Sequence, residues 1–143
     1  MQFLCDAASR RTWFRIETEA EAVSESQTMR HAVEKYFRRE YEAAAQSYKP
    51  TAASYIERDI GLNAHIQRTM PLFLTLREHD GSPLATAMLP PEGKESDTFR
   101  MIIVGPANGD PFLSHDEAIQ ALAKHFGLTL TRERCFPYQN YGV

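Results

Sequence analysis

Cysteine is scarce. Cys5 and Cys135 stand near opposite ends, and neither has a CxxC or cysteine–histidine spacing around it. This excludes a disulfide framework and a thiolate zinc module, and reads as two reduced thiols; the alternative is one bridge joining the two ends. Long hydrophobic runs are absent too. The longest, such as Met101-Ile102-Ile103-Val104, fall far short of the about 20 residues that span a bilayer. The first residues, Met1 to Asp6, carry neither a basic stretch nor an apolar run and do not read as a signal peptide. The expectation is therefore a cytoplasmic protein with no membrane attachment. No excess of one charge is present either: 16 basic residues face 19 acidic ones, a formal net charge of −3. A dedicated nucleic-acid binder normally shows a basic surplus, so this balance argues against nucleic acid as the partner. No GxSxG, GxxxxGK[ST], HExxH or HxxxH spacing occurs, and no cofactor or metal is expected.

What is present is an ordinary globular composition, 43% apolar and 24% charged over 143 residues. The length suits one domain, and a chain of this size can hide about two-thirds of its unfolded surface. There are no internal repeats and no composition break, so residues 1–143 form a single domain, with residues 137–143 as an aromatic tail over its surface.

Periodicity gives the elements. Residues 12–22 alternate, with Phe14, Ile16, Thr18 and Ala20 on one side, as in a strand with one wet face. Phe3 to Cys5 form its hairpin partner. Ser24 with Gln27 makes a capping box, and Met29, Val33, Tyr36, Phe37, Tyr41, Ala44 and Tyr48 then recur every three or four positions. One amphipathic helix over 26–48 follows. Residues 51–70 fit a helix or an extended segment, and Gly61 interrupts either. Residues 72–77 and 84–89 read as a hairpin closed by Asp80-Gly81, and 99–104 as an interior strand apolar on both sides. Ser114 with Glu117 makes a second capping box, Gly127 a left-handed C-cap, and 128–136 a last strand. The fold class expected is α+β: a two-layer domain, mostly antiparallel, with two main helices packed on one face of the sheet.

Chemistry is harder to place. Glu40 falls inside the apolar stripe on a helical wheel, where burial would raise its pKa and suit it to acid–base work. Otherwise the stripe's edge is exposed there, or an arginine pairs with it. Residues 105–114 join a strand to a helix start, a layout that binds anions, but no lysine lies in the loop, and Asp110 and Asp116 oppose phosphate. Ser114-His115-Asp116 holds the residue types of a hydrolase triad in adjacency, the wrong arrangement. Cys135 shares no strand face with Arg132 or Arg134 and reads as a packed thiol. His31, Lys35, Arg38 and Arg39 make a basic patch that Glu34 and Glu42 dilute.

With no catalytic motif standing and aromatics plentiful, the sequence points to a non-catalytic interaction or regulatory protein that binds a protein partner or self-associates. The alternative is a small-molecule binder or enzyme with a pocket between helix and sheet. There Glu40 would act as acid or base, and Tyr36, Tyr41, Arg132 and Arg134 would contact the ligand.

Overall fold

The computed structural model describes residues 1–50 and 54–138. The chain runs β1 (Gln2–Ala7), β2 (Arg11–Arg15), α1 (Glu19–Met29), α2 (Val33–Gln46), α3 (Tyr55–Thr69), β3 (Leu72–Arg77), β4 (Pro83–Leu89), β5 (Met101–Val104), α4 (Phe112–Phe126) and β6 (Cys135–Phe136). The six strands lie in chain order in one sheet. All neighbours are antiparallel except β5 and β6, which run parallel because α4 carries the chain back across the sheet. The α+β class and the mostly antiparallel sheet are as the patterns predict.

The distribution of helices differs from the expectation. They cover both faces, not one. Leu72, Leu74 and Leu76 of β3 turn with Trp13, Leu89 and Ile103 toward α4, where Ile119 and Leu122 close a first core. Phe73 and Met88 point the other way and meet Val33 and Phe37 of α2 and Ile66 of α3 in a second. The reason is visible in β3 itself, which is apolar at both parities and so gives the sheet two greasy sides.

The long helix expected over 26–48 is two helices. Thr18 caps α1: its hydroxyl accepts from the Glu21 amide, and the Glu21 carboxylate accepts from the Thr18 amide. The strand expected over 12–22 therefore ends at Arg15, because a capping box outweighs the two-residue alternation of Glu-Ala-Glu-Ala, all good helix formers. Ser24, expected as the cap, lies inside α1. Arg30 then takes a left-handed conformation (φ 57°, ψ 53°) and breaks the rod before α2.

Three other boundaries move. Residues 55–69 are helical, and Gly61 sits within α3 because a β-carbon there would fall 2.2 Å from the Tyr48 hydroxyl. Residues 51–53 lie outside the described residues. α4 begins at Phe112, not Ser114; Asp110 accepts from the Phe112 amide, so Ser114 and Glu117 form no box. The last strand covers only Cys135–Phe136, since a 3-10 turn over Arg132–Arg134 interrupts the alternation. Gly127 is the left-handed cap of α4 as expected (φ 72°). Tyr138 is buried and donates to the Gly109 carbonyl, while residues 139–143 of the expected tail, Tyr141 included, are outside the described residues. No helix among the described residues is long and apolar enough to cross a membrane.

Candidate functional site

The buried face of α1 is formed by Ala22, Glu25, Ser26 and Met29, the i, i+3, i+4, i+7 set of a core-facing helix with two polar members. Glu25 is 1% exposed, so its charge needs partners. The sheet supplies them. Thr75 and Thr86 sit opposite each other on β3 and β4, on the side that faces α1, and Arg77 follows two residues along the strand. Arg77 Nη2 lies 2.6 Å from Glu25 Oε1, and Thr86 Oγ1 donates to Glu25 Oε2 at 2.6 Å. Arg77 is itself held, donating through Nε to Thr75 Oγ1 and through Nη1 to the Gly81 carbonyl. One face of the sheet is thus split: polar beneath α1, apolar beneath α2.

The break at Arg30 brings His31 into this network. His31 Nε2 is 2.8 Å from Thr86 Oγ1, and His31 Nδ1 is 3.4 Å from the Val33 amide at the start of α2. The proton positions follow from valence. Thr86 has one hydroxyl proton and gives it to Glu25, so the imidazole must donate through Nε2–H, and Nδ1 accepts from Val33. Ser26 adds a second tie across the elbow: its hydroxyl accepts from the Glu34 amide and donates to the Glu34 carboxylate. Burial holds the His31 pKa below its ordinary 6.5, against the opposing pull of Glu25 and Glu34. The Ser26 hydrogen bond, ahead of other effects, holds the Glu34 carboxyl low.

A cavity of about 140 Å³ opens beside this imidazole. Its walls include Val33, Phe73, Met88, Ile102 and Val104, and its polar contributors are His31, Thr86, Tyr36 and Asn108. Arg39 lies over the Tyr36 ring at 5.1 Å.

The residues singled out from the sequence are scattered by comparison. Glu40 stands beside Arg39 at 3.3 Å with its side chain 28% exposed, on a part of α2 away from the cavity walls. Of the four residues expected to contact a ligand, Tyr36 alone lines the cavity. Tyr41 stacks on Phe37 and borders a separate hollow with Arg38 and Glu42. Arg132 reaches Asp110 at 2.5 Å, and Arg134 pairs with Glu95. Both thiols are free, and burial pushes that of Cys135 up to about 12. His115 Nδ1 lies 3.2 Å from Arg11 Nη1. No group of three or more histidine, cysteine or carboxylate side chains able to hold a metal occurs among the described residues.

Glu25 and Thr86 were missed because a glutamate in a charge-rich helix and a threonine in a strand carry no motif. One signal was available: Glu25 and Ser26 occupy the core-facing positions between Ala22 and Met29. Comparison with protein-family models, curated proteins and solved structures finds no match to this chain.

The lowered His31 pKa has a measurable consequence. The unfolded chain binds a proton near pH 6.5 while the folded one resists it, so unfolding free energy falls as pH drops through 6.5 and levels off below the folded pKa. His115, also lowered by burial and by Arg11, adds to the same slope. Urea denaturation across this window should show the slope in the native chain and a shallower one in His31→Gln.

Proposed function

We propose that this protein binds a small, largely apolar organic molecule in the cavity between the start of α2 and strands β4 and β5. The observation that carries the reading is the pairing of an apolar hollow with one ordered polar corner, His31 backed by Thr86 and Glu25. Pockets that bind small molecules combine such walls with a few fixed polar groups. Size supports it as well, since a dry cavity of ~150 Å³ accommodates benzene. The site has the form of the helix–sheet pocket considered from the sequence, with His31 in the place given there to Glu40.

Benzene and xenon are suitable probes. Titrated into methyl-labelled protein, they should shift the methyl signals of Val33, Met88, Ile102 and Val104, with benzene binding at about 1 mM. Val104→Phe, which fills the hollow, should abolish those shifts. Unmoved methyl signals, or shifts spread over the surface, would overturn the reading.

A second reading, association with a protein partner or a second copy, has its own observation. Tyr55, Ile56 and Ile60 on α3 are 83%, 73% and 64% exposed, a cluster of apolar side chains left in water. Two unpaired thiols suit a reducing compartment, which supports a cytoplasmic location for either reading.

A further inference from the structure

We propose that His31 accepts a proton from a weakly acidic hydroxyl on the cavity's ligand, with Thr86 and Glu25 as positioning residues behind the imidazole. The inference rests on the binding reading above and names the chemical class of the ligand.

Three features of the site carry it. The first is direction. The hydrogen bonds run one way, from His31 Nε2–H to Thr86 Oγ1 and from the Thr86 hydroxyl to Glu25 Oε2, at 2.8 and 2.6 Å. A proton added to the ring has one site left, Nδ1. That atom holds the Val33 amide at 3.4 Å, beyond the usual range for a strong bond, so a better donor can displace it. The second is charge. An imidazolium formed there would face the Glu25 carboxylate across a single hydroxyl, while Arg77 balances that carboxylate on its other oxygen. The arrangement matches a general base oriented by a buried acid, with threonine inserted between the two.

The third is exclusion. A quaternary ammonium has no proton to give to Nδ1. A carboxylate would present lone pairs to the lone pair of Nδ1. A neutral hydroxyl enters without carrying charge, donates to Nδ1 and leaves its ring or chain against Phe73, Met88 and Val104. In the step itself the ligand O–H bond breaks, its electrons stay on oxygen, and an N–H bond forms at Nδ1. The products are an oxyanion and an imidazolium, and no other reactant is consumed. Burial alone disfavours the imidazolium; the Glu25 carboxylate and the oxyanion formed beside the ring oppose that effect and favour it.

The test uses 4-nitrophenol, whose ionised form absorbs in the visible, and its methyl ether, 4-nitroanisole, which has no proton to give. The native protein should bind both. The ionisation midpoint of bound nitrophenol should fall about one pH unit below its value in buffer, a tenfold change. At saturating nitrophenol, His31→Gln should lose the midpoint shift whatever its affinity for the ligand; Thr86→Val should do the same, and Thr86→Ser should restore it. His31→Gln is the independent variant, because Thr86→Val also removes a hydrogen bond from buried Glu25. Ether binding with an unshifted nitrophenol midpoint in the native protein would overturn the proton transfer and leave the binding reading standing. Failure of nitrophenol, its ether and benzene to bind would overturn both.

Discussion

Replacing Glu25 by leucine should lower the unfolding free energy by about 3–5 kcal/mol, the range found when one member of a buried ion pair is removed. The cause is what stays behind. Arg77, whose side chain is 16% exposed, would keep its bonds to Thr75 and Gly81 but lose its counter-charge, and Thr86 would lose its acceptor. Arg77→Leu should be costly for the reciprocal reason, since Glu25 is completely covered. The double variant should recover much of the loss, because neither charge is then stranded. Urea denaturation of the two singles and the double closes the cycle. Strictly additive losses would contradict the pairing.

Trp13 carries the second large effect, on the opposite face. It is 0% exposed, packs among the β3 leucines and α4, and donates from Nε1 to the Ala118 carbonyl at 2.8 Å. Trp13→Ala should cost about 3–5 kcal/mol through the cavity it leaves. Trp13→Phe keeps most of the packing and should cost about 1–2 kcal/mol, much of it the lost hydrogen bond. A near-neutral Trp13→Ala in thermal or urea denaturation would mean that α4 is not seated on this sheet.

These two sites differ in how far the sequence announces them. The β3–β4 hairpin, the apolar face of α4 and the Gly127 cap follow from apolar spacing and turn chemistry, which act locally. The β3 leucines likewise alternate with Phe73, a pattern that already requires cover on two sides. The elbow between α1 and α2 is a different matter. Met29, Val33 and Phe37 keep helical spacing across it, so periodicity reads straight through Arg30, and nothing in Arg30-His31-Ala32 marks a break. The break is held from outside, by Ser26 on the Glu34 amide and Thr86 on His31, contacts that join residues 8 and 55 positions apart. Glu40 does lie on the Val33–Phe37–Ala44 face of α2, but its side chain stays 28% exposed beside Arg39; the chain instead submerges Glu25, whose partners lie more than fifty residues away. Long-range polar pairing leaves no local period, and the polar corner of the candidate site is built largely of it.

The most direct test of the account is the protonation state of His31, read by nitrogen-15 NMR of the imidazole across a pH titration. The account predicts a neutral ring with its proton on Nε2, retained to a pH below the ordinary histidine value of 6.5, and released from that tautomer by Thr86→Val. A ring protonated on Nδ1, or one that averages freely and titrates at the ordinary value, would contradict it.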